Sequence, residues 1–318
     1  MKKVVILLVL TFSISGIFAQ DTGSKELASK RGELFLPKQG DWAISMCADP
    51  IFNYVGNMFN GTLSNSAPAA SWLNGNQTIV GKKFIADNQA YRAILRLGFL
   101  NQTYKNLVDD YAKVSDPGYT DPFPDPTPQV TDKYKLSNMN IGIGVGKEFR
   151  KGVNRLQGFY GADVMVWVSS MSQKYTYGNV MSDTTLTTLT TTPPSTSWTT
   201  AGVVTGVGAT GSRTLSTKSG MTFGIGVRGF IGAEYFLFPK VSVGAEYGWG
   251  LGYQMTGKGK QTTETTDVIN GKTTLGTVTT EKAGSSSFGF DTDLNQGVIF
   301  GFKGSNTGTA SLRVTLHF

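Results

Sequence analysis

The 318-residue chain holds one histidine and one cysteine, His317 and Cys47, and that scarcity restricts its chemistry from the outset. A His-based hydrolase or acyltransferase needs its histidine within reach of the nucleophile. Here the only imidazole stands next to the C-terminal residue, and Cys47 has no histidine near it in sequence. Cys47 therefore reads as a small apolar side chain, and a disulfide would require a second chain. Gly142-x-Gly144-x-Gly146 and Gly224-x-Gly226 have the look of phosphate loops, but they sit inside alternating segments rather than between a strand and a helix. Asp116, Asp121, Asp125 and Asp132, set among five prolines, offer carboxylates to Ca²⁺. Their spacing fits no calcium loop, and the segment reads as a stiffened, solvated loop; Asp291-Thr-Asp293 reads the same way. No catalytic, cofactor or metal residue is expected, and the chain is not expected to be an enzyme.

One constellation remains, and it becomes visible only through the elements that carry it. In residues 221–237, Met221, Phe223, Ile225, Val227, Ile231, Ala233, Tyr235 and Leu237 share one parity. After Phe238-Pro239-Lys240 the alternation resumes from Val241 to Tyr253. Period two over this length predicts a β-hairpin with strands far longer than the usual five or six residues. Residues 141–168, broken at 150–154, and 78–104, turning at Ala86-Asp87-Asn88-Gln89, repeat the pattern. Ahead of each turn a charge stands beside an aromatic: Lys83-Phe84, Glu148-Phe149 and Glu234-Tyr235. The linkers between hairpins, 105–136, 174–218 and 257–287, are long. Tight turns on one rim and long loops on the other predict a transmembrane antiparallel up-and-down β-barrel. Eight strands are expected, near residues 42–57, 78–85, 90–104, 137–149, 155–170, 220–237, 241–256 and 308–318, with both ends on the short-turn, periplasmic rim. Strand-like residues in 286–306 extend the last strand or add a hairpin, which makes ten strands the alternative.

Lys2 and Lys3, an apolar run from Val4 to Phe18 and the small Ala19 have the layout of a signal peptide at 1–19. Its apolar run is shorter than the ~20 residues of a spanning helix. Residues 20–41 are expected to form a short periplasmic segment and 42–318 the barrel, reached by Sec-type export to a bacterial outer membrane. Without residues 1–19 the chain carries 27 Lys and Arg against 22 Asp and Glu, with no basic run, so nucleic acid is not an expected partner.

Gly40-Asp-Trp-Ala-Ile-Ser, Tyr54-Val-Gly-Asn57, Lys83-Phe-Ile-Ala-Asp-Asn88 before Tyr91-Arg92, Arg155-Leu-Gln-Gly-Phe-Tyr-Gly-Ala162 and Gly226-Val-Arg-Gly-Phe-Ile-Gly-Ala-Glu-Tyr235 resemble the small outer-membrane β-barrel family of the Bacteroidota type. The resemblance runs from about residue 40 to the end, loops excepted, and departs from the pattern at 303–308, which looks like an insertion. The terminal Phe318, after alternating apolar residues, resembles the assembly signal read by the barrel-assembly machinery. Outer-membrane lipid and that machinery are the implied partners; the family carries no single activity to transfer.

If the apolar parity faces lipid, the other parity faces the lumen. Collecting it gives Arg92, Arg96, Asp163, Arg228, Glu234, Glu246 and Arg313. Eight strands leave room only for side chains, so the opposite charges are expected to pair into a plug, with glycines making space around them. Tyr160, Tyr235, Tyr247, Trp249 and Tyr253 fit interfacial girdles, while Trp167 falls on the inward parity. Residues 184–200, ten of them threonine, read as a low-complexity surface loop open to O-linked sugar or a surface partner. The expected role is structural or interactive, through the long external loops toward surface ligands or other envelope proteins. A small-solute channel or porin-like transporter is the alternative.

Overall fold

The computed structural model describes residues 27–61, 79–120, 126–181, 193–208, 211–269, 272–291 and 310–318. In chain order the elements are β1 (Trp42–Cys47), α1 (Asp49–Phe59), β2 (Ile79–Ala86), β3 (Gln89–Asp109), α2 (Tyr111–Val114), β4 (Gln129–Val153), β5 (Leu156–Thr176), β6 (Ser195–Trp198), β7 (Val204–Gly208), β8 (Ser212–Lys218), β9 (Thr222–Phe238), β10 (Val241–Thr256), β11 (Gly259–Ile269), β12 (Lys272–Lys282), β13 (Ser285–Asp291) and β14 (Ala310–His317). Strands β1, β2, β3, β4, β5, β9, β10 and β14 pair in that order, each antiparallel to the next, and β14 pairs back onto β1. The sheet thus closes on itself as a ring of eight strands. Three hairpins of the ring turn at Asp87-Asn88, at Asn154-Arg155 and at Pro239-Lys240. Asn154 and Lys240 adopt positive φ of 61° and 62°, the left-handed residue each tight turn requires.

Pairing fixes which parity points inward. Ala43, Ser45 and Cys47 on β1, Val80, Lys82 and Phe84 on β2, and Ala90, Arg92, Ile94 and Arg96 on β3 are buried, while their chain neighbours are more exposed. The outward set is apolar over a continuous belt: Tyr91 to Phe99 on β3, Tyr160 to Val168 on β5, Phe223 to Tyr235 on β9 and Val243 to Tyr253 on β10. Above the belt the same parity turns polar, with Asn101, Thr103 and Lys105 on β3, Ser137, Lys135 and Lys133 on β4, and Ser170, Ser172 and Lys174 on β5.

Two expectations need correction, while the count of eight ring strands stands. The first strand was expected over 42–57 but stops at Cys47, and Asp49–Phe59 is helical. Pro50 sits in the first turn of α1, where its missing N–H costs nothing, and Ile51, Tyr54, Val55, Met58 and Phe59 follow the helical spacing rather than alternation. The long linkers are also not structureless. β3, β4 and β5 run on past the belt, and β8, β11 and β12 add to β5 as an open sheet above the ring. Threonine-rich segments form these strands because β-branched side chains suit a pleated surface. Finally, β13 lies beside β10 on the side β14 occupies lower down, so residues 285–291 occupy the eighth wall position higher up, and the ring closes with eight strands. The segment 1–19, Asp121, Asp125, Asp293 and residues 184–192 and 292–306 lie outside the described residues.

Candidate functional site

The interior of the ring is filled in layers. Nearest the tight turns, His317 lies between the rings of Phe84 and Phe236, at centroid distances of 5.8 and 5.1 Å. Arg150 reaches over the same two rings and pairs with Glu234 and, at 3.4 Å, with Glu148. Lys82 binds Glu148 at 2.8 Å and lies over Phe159. In the next layer the Arg92 guanidinium meets three carboxylates, Glu148 at 3.1 Å, Asp163 at 3.3 Å and Glu246 at 3.0 Å, and lies 3.8 Å from the centre of the Phe230 ring. Arg228 closes the circuit, reaching Glu246 at 2.7 Å and Asp163 at 3.3 Å. Above it Val80, Ile94, Met165 and Trp167 form an apolar layer. Among the described residues the bonded network holds four cations, Lys82, Arg92, Arg150 and Arg228, against four carboxylates, Glu148, Asp163, Glu234 and Glu246. Such a balance is what burial demands, because a charge without a partner is costly away from water.

Glycines make this packing geometrically feasible. A Cβ at Gly146 would run into the Asp163 carboxylate, one at Gly224 into the Trp167 indole, and one at Gly232 into the Phe159 ring. A Cβ at Gly248 would lie 2.5 Å from the Arg228 guanidinium. Each of these four inward side chains thus lies against a neighbouring strand where the facing residue has none.

All seven inward residues read from the sequence point into the ring. Arg92, Asp163, Arg228, Glu234 and Glu246 are joined in the network. Arg313 donates from Nε to Ser45 Oγ at 3.1 Å and stands in the electrostatic field of Glu246. Arg96 lies buried on β3, four residues above Arg92. Lys82, Glu148 and Arg150 were missed. Parity alone would have placed all three inward. Glu148 was read instead as a turn marker beside Phe149, and Lys82 was hidden in the doublet Lys82-Lys83, whose second member points outward over Trp42 at 4.4 Å. Trp167, odd among girdle aromatics, is 1% exposed and belongs to the apolar layer.

His317 has company that sequence proximity did not show. Ser242 Oγ lies 3.3 Å from His317 Nε2 and donates to Glu234 at 3.3 Å. The serine sits between acid and imidazole, and Nδ1, the atom an acid orients in a nucleophilic triad, has no hydrogen-bond partner. All three side chains are buried, so the set is connected as a packing cluster rather than as a relay to a substrate. Cys47 is also buried and unbonded to sulfur, opposite Arg313 in the β1–β14 register.

A second cluster stands above the belt, on the inner face of the extended strands. Tyr134 stacks on Tyr104, Tyr175 and Trp198, with centroids 5.7, 5.0 and 5.9 Å apart. The β6–β7 hairpin supplies Trp198 and closes over the group. It is tied down by Asp132, which accepts from the backbone N–H and hydroxyl of Thr196 at 2.7 and 2.9 Å and from Gly178 N–H at 2.8 Å. Gly202, at φ 79°, passes directly over the Tyr104 ring, where a Cβ would clash. Tyr177 donates to the Thr214 carbonyl at 2.8 Å; burial pushes its phenol up to about 12, against the pull of Arg213 beside its ring. Of the acidic loop, Asp132 is therefore a backbone anchor, and Asp116 caps its own turn through Gly118 N–H at 2.9 Å. Among the described residues no group of acids, histidine and cysteine is placed to hold a metal ion.

No family model, no curated protein and no solved structure matches the chain.

Proposed function

We propose that the chain is an integral β-barrel of a bacterial outer membrane whose lumen is closed by an ion-paired plug. Its role is then structural or interactive, carried by the storey above the wall. The observation that carries this reading is the inversion of the ring: apolar outside, charged and paired inside. A strand tilted by about 40° climbs ~2.5 Å per residue. On that basis the outward apolar run rises about 20 Å on β3 and β5, about 25 Å on β10 and about 30 Å on β9, close to the ~25 Å belt of a barrel in lipid. A soluble protein that turned Leu95, Leu97, Phe99, Phe223, Ile225 and Val227 to water on one belt would aggregate. At the level of β1, from Trp42 to Met46, every strand of the ring is paired on both sides, the condition lipid imposes on a β-structure.

The partners on this reading are outer-membrane lipid and the barrel-assembly machinery, with surface ligands or other envelope proteins at the long-loop side. The test is direct. The protein should cofractionate with the outer membrane, need detergent for extraction and migrate differently in gels before and after boiling. In planar bilayers it should give no steady conductance, and Arg228→Ala should lower thermal stability without opening one. Recovery as a water-soluble protein would end the membrane reading. Reproducible single-channel currents from the unaltered protein would replace the plug with the channel.

A further inference from the structure

α1 leaves the wall below the top of the apolar belt. Met46, two residues before Ala48, pairs with Ile79 on one side and Val314 on the other. Ile79 in turn faces Leu95, above which β3 still presents Leu97 and Phe99 outward. Val314 faces Val243, above which β10 presents its outward row up to Tyr253. The helix is pinned at its start by the Ala48 N–H, which donates to the Leu312 carbonyl at 2.8 Å, and it touches the wall at β14. Its apolar residues are open: Ile51 is 39% exposed, Tyr54 36%, Val55 38%, Met58 60% and Phe59 82%. They form one stripe at i, i+3, i+4, i+7 and i+8, while Gly56, Asn57 and Asn60 share the opposite face by spacing. An amphipathic helix normally buries its stripe against the core; here the stripe is exposed and follows in the chain directly after the exposed outward row of Trp42, Ile44 and Met46.

We propose that the stripe of α1 is a lipid-binding face, seated among acyl chains of the outer leaflet as an interfacial helix attached to the barrel. This rests on the membrane reading above and adds to it a lipid contact that is helical, not part of the wall. Continuity with the belt names the occupant, and the helix satisfies its own backbone groups, as a segment at that depth must.

The experiment uses the full chain in phosphatidylcholine vesicles containing doxyl-labelled lipid. In a Cys47→Ser background, an environment-sensitive fluorophore is placed at Met58→Cys, at Phe59→Cys as a second probe of the stripe, at Asn60→Cys on the polar face, and at Leu97→Cys and Val227→Cys on the wall. The expected result is blue-shifted emission at Met58 and Phe59 and a loss of intensity to doxyl lipid equal to that at Leu97, with Asn60 quenched by iodide instead. Iodide quenching at Met58 and Phe59 with lipid quenching at Leu97 and Val227 overturns the proposal and leaves the barrel in its membrane. Loss of lipid quenching at all four positions overturns both. Pyrene excimers between Met58 labels, without lipid quenching, assign the stripe to a second copy and also overturn the proposal.

Discussion

Replacing Arg92 by alanine measures how dry the lumen is. Its guanidinium is the only group in the network bonded to three carboxylates, Glu148, Asp163 and Glu246, and its side chain is fully shielded from solvent. Removing it leaves three cations against four acids in the bonded set and uncovers the face of Phe230. Breaking a buried pair by deleting one partner costs about 3–5 kcal/mol, because the surviving charge is left desolvated. The same pair in a water column would be worth about 0–1 kcal/mol, the value of an exposed bridge. The two architectures therefore predict effects several-fold apart for one substitution. The comparator is Lys258→Ala, which breaks an exposed 3.2 Å pair with Glu281 above the ring. Urea titration of the folded protein in vesicles, followed by the gel shift between folded and unfolded forms, reads both. Arg92→Ala should lower the midpoint strongly and Lys258→Ala hardly at all. Adding Glu246→Gln to Arg92→Met should recover part of the loss, since the pair is then removed together. The plug is refuted if Arg92→Ala and Lys258→Ala are indistinguishable, or if the loss disappears in high salt, which screens only charges that water reaches.

Further outcomes follow from the packing. Gly224→Ala should destabilise by about 1–3 kcal/mol through overpacking against Trp167, and Trp167→Leu should relieve it; equal melting with and without the second change would count against the glycine-for-bulk pairing. Gly202→Ala should loosen the β6–β7 hairpin over Tyr104, read as faster proteolysis within 193–208 while the gel shift of the ring is unchanged. The Tyr177 phenol, ordinarily near 10, is raised by burial to about 12, so its contribution to holding β8 is complete below pH 10 and is lost as pH rises through 12. Phenolate absorbance should develop late and together with proteolysis within 212–218, and Tyr177→Phe should remove the coupling; ionisation near 10 would contradict the burial. Phe318→Ala should reduce barrel levels in the outer membrane during synthesis without altering the stability of what does assemble, and unchanged levels would remove Phe318 as an assembly signal.

The ring was legible because its signal is local. Period two from 221 to 253 gives both strands of the β9–β10 hairpin, the faces of Arg228, Glu234 and Glu246, and the turn at Lys240, all from neighbours in sequence. What the pattern hid was long-range or had two readings. Residues 42–57 hold a strand parity up to Cys47 and a helical stripe after it; only Pro50 marks the boundary, and a single proline in a segment expected to be a strand was read as an interruption rather than a helix start. Arg150 lies at the mouth of a tight turn, yet its partner Glu234 comes from β9, and no periodicity links the two. The storey above the belt was invisible for a different reason. Thr262, Thr263, Thr265 and Thr266 alternate nothing apolar, so this threonine-rich strand reads like a loop although Thr266 is buried.

The interior and the upper storey use the same chemistry to different ends. Inside the ring, carboxylates meet guanidinium groups, and every strand of the wall except β1 contributes a charged residue, so the network ties non-neighbouring strands such as β3 and β10 together through Arg92 and Glu246. That cross-bracing opposes any widening of the ring, since opening it would separate several ion pairs at once. Above the belt, Asp132 spends both carboxylate oxygens on backbone N–H groups and a hydroxyl from 178 and 196, and so fixes loops rather than strands. Passage through the wall would require dismantling an aromatic, an ionic and an apolar layer in turn. Rearrangement of the β6–β7 hairpin above it requires only its release from Asp132, Tyr104 and Tyr134. Energetics therefore makes the upper storey the part of the molecule that can move without the ring coming apart.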